Sequence, residues 1–246
     1  VLAAGGARSV TSVSGSTTAT IVLTFDGAAA AASDTATMTI GATVKDTSTA
    51  QNTFIAIGGQ AVTDGQAPTF TAIRNALNTI VLTFSENVNA PINQLTAWTV
   101  AGASVSATTA VTSSTSMTIT TTGLTATNGT PAVTYVAANG DVLDVSAATN
   151  EMANATTANA ADQVKPTFTA ARTGLNTIVL TFSENVDVTT TNGAGYALSD
   201  GGTVSANSDP NGASNIITLT TAGITGTSAT PTVTYTIAAG TTLDSA

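Results

Sequence analysis

Eight carboxylates fall into two similar sets along this chain: Asp64, Glu86, Asp141 and Asp144, then Asp162, Glu184, Asp187 and Asp244. Asp64 and Asp162 each stand four residues before a proline, Glu86 and Glu184 each follow a Phe-Ser pair, and Asp144 and Asp244 each follow a leucine. Carboxylates gathered with amide and carbonyl oxygens suit a hard cation, above all calcium, which takes roughly six to eight oxygen ligands. The plainer reading is that a glutamate after a strand and an aspartate before a turn are solvated or capping residues, because no EF-hand spacing is present.

Other chemistry has little support. The chain has no histidine and no cysteine. It therefore lacks the commonest general base near neutral pH, thiolate metal sites and disulfides. Ser85 and Ser183 lie beside the glutamates, with no histidine to activate them. Two carboxylates could in principle serve glycoside hydrolysis, yet the same carboxylates recur in each copy of a repeat, which an active site rarely does. The glycines form no phosphate-cradling motif. Asn128-Gly129-Thr130 and Asn154-Ala155-Thr156 match the N-glycosylation sequon, as chance allows in so Asn- and Thr-rich a chain. The expectation is a protein that is not an enzyme.

The elements that must position the carboxylates are themselves repeated. Pro68–Asn89 (PTFTAIRNALNTIVLTFSENVN) and Pro166–Asp187 (PTFTAARTGLNTIVLTFSENVD) differ at only 4 of 22 positions, at an offset of 98 residues. Thr130–Tyr135 is echoed by Thr230–Tyr235. A near-copy of about one domain's length points to tandem modules. Within each copy the period is two: Ile80, Leu82 and Phe84 share a face, with Thr79, Val81 and Thr83 opposite. Seven strands are predicted near 69–74, 79–84, 95–101, 104–111, 115–121, 132–138 and 142–147, with turn residues between them. That pattern fits an all-β chain of tandem immunoglobulin-like β-sandwich domains. The Ala147–Ala161 stretch reads as an extended linker.

The boundaries that follow are a shortened module at 1–66, a repeat with its linker at 67–163 and a second repeat at 164–246. In the first segment Ile21–Phe25 repeats the strand at 80–84, and Val44-Lys45-Asp46 aligns with 142–144. Phe25 to Val44 spans 19 steps where Phe84 to Val142 spans 58, so about four strands have no counterpart there. A longer parent protein is expected, with any signal peptide preceding this stretch.

Strands alternate in direction, so Asp64, Glu86, Asn87, Asp141 and Asp144 are expected at the pole facing the preceding module. Asp162, Glu184, Asp187 and Asp244 are expected at the next junction. Arg74 and Arg172 are candidate partners of Glu86 and Glu184, or else solvated edge charges that block strand pairing. Trp98, Tyr196, Tyr135 and Tyr235 are expected in the core, the tyrosine hydroxyls bonded to backbone at a corner.

Composition narrows the partners. Charged residues make up 8% of the chain, against roughly 25% in ordinary globular proteins, and the net charge is −9 with five basic residues. No basic patch exists to neutralise nucleic acid or an anionic bilayer surface, and no apolar run of bilayer length appears.

The strings Pro-Thr-Phe and Asn-Thr-Ile-Val-Leu-Thr-Phe-Ser-Glu-Asn-Val resemble the repeats of prokaryotic, chiefly archaeal, Ig-like domains of S-layer and large surface proteins. The resemblance covers about 67–246 and part of the N-terminal segment. It implies an extracellular, cell-surface rod whose modules self-assemble into a lattice or filament, often with calcium at the junctions. The alternative is a stalk or carbohydrate-binding repeat of a large adhesin or secreted enzyme.

Overall fold

A computed structural model describes residues 10–15, 20–25, 37–38, 45–53, 60–125, 129–156, 159–211, 214–226, 228–237, 240 and 242–244. Asn128 of the first sequon and Val44 of the N-terminal alignment lie outside them. The chain is all-β, with several sheets, an architecture consistent with a β-sandwich. Among the described residues no helix is long and apolar enough to cross a membrane.

Among the described residues of the N-terminal segment lie β1 (Val10–Ser14), β2 (Val22–Phe25), β3 (Thr37–Met38) and β4 (Gln60–Ala61), paired β1 with β2 and β3 with β4. The first repeat comprises β5 (Phe70–Ala76), β6 (Thr79–Ala90), β7 (Trp98–Val100), β8 (Ser104–Thr108), β9 (Val111–Thr122), β10 (Val133–Tyr135) and β11 (Leu143–Asp144). Two further strands follow, β12 (Ala155–Thr156) and β13 (Ala161–Asp162). The second repeat comprises β14 (Phe168–Gly174), β15 (Thr177–Val188), β16 (Tyr196–Leu198), β17 (Thr203–Asn207), β18 (Ser214–Ala222), β19 (Val233–Tyr235) and β20 (Thr242–Asp244).

In the first repeat one sheet runs β13-β5-β6-β9-β8, with β11 on the far half of β6, and the other runs β12-β10-β7. Their inner faces share one core, which includes Phe70, Ile80, Leu82, Phe84, Trp98, Met117, Ile119, Val133 and Tyr135. Full burial of each large apolar side chain contributes about 1.5–3 kcal/mol. The second repeat reproduces the plan with β14-β15-β18-β17, β20 on β15, and β16 paired to β19.

The period-two strand at 79–84 is present but runs on to Ala90, and the alternation continues without a break. Ile80, Leu82, Phe84, Glu86, Val88 and Ala90 are all buried. The stretch after Asp144, expected as a linker, is extended and integral to the first repeat. β12 pairs antiparallel with β10, and β13 pairs parallel with β5. Met152 and Ala160 from this stretch are fully buried in the first core.

Arg74 pairs neither with Glu86 nor with solvent. In the β5–β6 register it lies opposite Ile80, six residues from Glu86, about 20 Å along the strand. Its side chain is 0% exposed, and it donates from Nε and Nη2 to the Leu77 carbonyl and from Nη1 to the Gly129 carbonyl. Arg172 does the same for Gly174, Leu175, Gly226 and Ala229. The arginines thus gather the carbonyls of two loops at the pole opposite the glutamates.

The aromatics fill the core as expected. Trp98 packs on Phe70 at 5.2 Å and on Tyr135 at 4.9 Å between ring centroids. The Tyr135 hydroxyl accepts from the Val142 amide at 3.2 Å. In the second repeat Trp98 and Val142 become Tyr196 and Thr242 together, and the two new hydroxyls lie 2.6 Å apart in a hydrogen bond. Gly140 admits the Tyr135 ring: a Cβ there would lie 2.4 Å from Cε2. Gly140→Ala is therefore expected to destabilise the first repeat by about 1–3 kcal/mol. Thermal denaturation followed by the fluorescence of Trp98, the chain's one tryptophan, measures it.

Candidate metal centre

Two groups of three carboxylates converge: Asp64, Glu86 and Asp144, and Asp162, Glu184 and Asp244. In each group one oxygen per residue lies within 4.8 Å of the others. Two oxygens on one calcium at about 2.3–2.6 Å can be no farther apart than roughly 5 Å, so the spacing admits such an ion. Either group could hold a metal ion, with the remaining ligands supplied by water or carbonyls.

Each carboxylate is brought in by a different local device. Asp64 closes a turn through Oδ1, which accepts from the Gln66 amide at 2.9 Å, and Asp162 does the same with Val164 at 2.9 Å. The second oxygen of each, Oδ2, is buried and accepts no hydrogen bond. Glu86 arrives on the core face of β6, where the β6–β9 register shifts between Thr83 and Val88. Asp144 sits on β11 opposite Val88. Its Oδ1 accepts from the Ser146 amide, the Ser146 hydroxyl and the Asn150 amide, and its Oδ2 from Asn150 Nδ2. Asn150 also donates to the Asp64 carbonyl at 3.3 Å, joining the two acids.

Glu86 is the informative member. It is 4% exposed, and neither carboxylate oxygen accepts a hydrogen bond. Burial, then the nearby charges of Asp144 and Asp64, push its pKa up to about 7. A buried carboxylate without a donor is costly unless it is protonated or meets a cation. Burial alone would raise Asp144 too, but the hydrogen bonds from Asn150 and Ser146 outweigh it and hold its pKa below the usual carboxylate value. One acid of the group is thus kept ionised while its neighbour is left for a proton or a metal.

Asp141 and Asp187 belong to neither group. Asp141 is exposed and exchanges backbone contacts with the Gln94 side chain, and Asp187 Oδ1 accepts from the Val188 amide. Ser85 and Ser183 use their hydroxyls to accept the Thr69 and Thr167 amides, which fixes the start of each repeat's first strand. Asn154 of the second sequon accepts the Ala137 amide through Oδ1.

The device that holds Asp144 has a second copy in the N-terminal segment, where Asp46 aligns with Asp144. Asp46 accepts from Ser48 and Asn52 in the same pattern as Asp144 from Ser146 and Asn150. The bridge Lys45 to Thr53 matches Leu143 to Glu151. The signal is Asp-x-Ser followed by an asparagine six residues after the aspartate, present at 46–52 and 144–150.

Compared with protein-family models, curated proteins and solved structures, the chain matches none, so its function rests on this geometry alone.

Proposed function

We propose that this chain is a non-enzymatic structural protein of the cell surface, in which tandem Ig-like modules, their junctions stiffened by calcium, self-assemble into an S-layer lattice or extracellular filament. The observation that carries this reading is the origin of the second acidic group. Asp162 lies on β13, which is hydrogen-bonded to β5 of the first repeat, while Glu184 and Asp244 belong to the second. A cation held by all three would tie one repeat to the next and stiffen the joint between them. Calcium fits better than a transition metal because every side chain offered is a carboxylate. Few charges, abundant small polar residues and repeated modules suit an extended array with large self-contacts.

Electron microscopy of the purified chain in millimolar calcium and in chelator tests this function. Sheets or filaments that dissolve in chelator are the expected result. Assembly indifferent to chelator would remove calcium from the proposal, and isolated particles in both conditions would overturn the structural role.

A further inference from the structure

The two acidic groups are joined by one stretch of chain. Asp144 belongs to the first group and Asp162, eighteen residues later (162 − 144), to the second. The same spacing recurs upstream. Asp46, in its own loop with Ser48 and Asn52, precedes Asp64 of the first group by eighteen residues (64 − 46). Each such stretch begins at an aspartate held by a serine and an asparagine and ends at an aspartate of the next acidic group.

Between Asp144 and Asp162 the described residues trace the connection from one pole of the first repeat to the other. Asn150 holds two members of the first group: its amide and Nδ2 donate to the two Asp144 oxygens, and Nδ2 also to the Asp64 carbonyl. Glu151 then bridges to Leu143, and the Met152 amide donates to the Val142 carbonyl at 2.9 Å. Farther on, β12 lies on β10, the Ala160 amide donates to the Pro131 carbonyl at 2.8 Å, and the Gln163 amide to the Arg74 carbonyl at 2.8 Å. Met152 and Ala160 are fully buried.

This docking is shallow. β12 and β13 are two-residue ladders, and a stretch made mostly of alanine, asparagine and threonine buries little apolar area. Segments held by so few buried contacts open locally at a small free energy, while the rest of the domain stays folded. Opening would release Asn150 from Asp64 and Asp144 at one pole and draw Asp162 away from Glu184 and Asp244 at the other. Both acidic groups are therefore complete in the same docked state and broken in the same open one.

We infer that cation binding at the two acidic groups is cooperative, with the stretch from Asn150 to Asp162 as the element that couples them. An ion in the first group favours docking. The docked stretch then presents Asp162 to Glu184 and Asp244 already in place, so the second ion binds without the ordering cost. Linkage makes the coupling reciprocal. Joints coupled in this way stiffen together over a narrow range of calcium concentration. The coupling rests on the reading of both groups as calcium sites.

The test titrates calcium into the full chain as wild type, Glu86→Gln and Glu184→Gln, with circular dichroism to verify folding and amide exchange followed in parallel. Asp162→Asn, whose Oδ1 can still accept the Val164 amide, repeats the Glu184→Gln measurement without altering a buried side chain. In chelator the Ala160 and Gln163 amides should exchange much faster than those of Ile80 and Leu82 in the central strand, as local opening requires. In Glu184→Gln, which keeps only the first group, calcium should slow exchange at Gln163, at the far pole, by about fivefold or more. By calorimetry the product of the two wild-type binding constants should exceed the product of the two single-ion constants of the variants by about the same factor. Equal products, or a Gln163 amide that calcium leaves unchanged in Glu184→Gln, would overturn the coupling while the two sites stand. A wild type that binds no calcium at roughly millimolar concentration would overturn the calcium reading as well.

Discussion

In calcium the wild-type first repeat should melt well above its temperature in chelator, and Glu86→Gln should abolish most of that difference while raising stability in chelator. The two effects have one cause. Glu86 is buried on the core face of β6, both its oxygens accept no hydrogen bond, and Asp64 and Asp144 lie beside it. Its folded pKa of about 7 stands above the ordinary 4.5. The folded state therefore binds more protons than the unfolded state between those values, and stability falls as pH rises through that window. At pH 8 and above, without metal, the ionised side chain costs on the order of 3 kcal/mol. Glutamine carries no charge and removes that slope. A cation at about one hundred times its dissociation constant would instead stabilise the folded repeat by about 2.7 kcal/mol, or roughly 10–20 °C for a domain of this size. Thermal denaturation followed by Trp98, at pH 5, 7 and 8.5 with calcium and with chelator, measures both effects. Equal calcium responses in wild type and Glu86→Gln would remove Glu86 from any metal site.

Arg74→Met is expected to cost the first repeat about 3–4 kcal/mol, and Arg172→Met roughly half as much in the second. Removing a buried guanidinium leaves the carbonyls it served without donors, and each orphan costs about 1–3 kcal/mol. Arg74 is sealed from water, so Leu77 and Gly129 lose their donor with nothing to replace it. Arg172 is half-exposed, so water can reach Gly174, Leu175, Gly226 and Ala229 after the substitution. The methionine keeps most of the buried stem, which separates loss of hydrogen bonds from loss of packing. Urea unfolding, read by Trp98 for the first repeat and by near-ultraviolet tyrosine signals for the second, compares the two. Equal costs would mean that burial does not set the value of these contacts.

The two substitutions also mark where the sequence was legible. Alternation in Thr79–Phe84 identifies a strand and its inward face, and carrying the same count forward places Glu86 inward beside Val88. A glutamate ordinarily ends a buried pattern, so the strand is cut short by a reading based on hydrophobicity, although the period never changes. Arg74 yields to the same count, since Phe70, Ala72 and Arg74 share the inward face of β5. The charge suggests a surface position, and only the carbonyls of two distant loops explain its burial.

By itself, then, the sequence determined the all-β class, the 98-residue spacing of the repeated stretch and the inward face of the strand at 79–84, because these depend on local propensity and on a period that neighbouring residues set. Strand direction alone led to eight carboxylates being expected near the junctions, of which six converge and Asp141 and Asp187 do not. Tertiary structure decided which of them meet, since Asp64, Glu86 and Asp144 are brought together by pairings between residues tens of positions apart. It likewise decided that Met152 and Ala160 are core. An alanine- and asparagine-rich segment carries almost no strand signal of its own, and acquires one only from the two sheet edges that it joins.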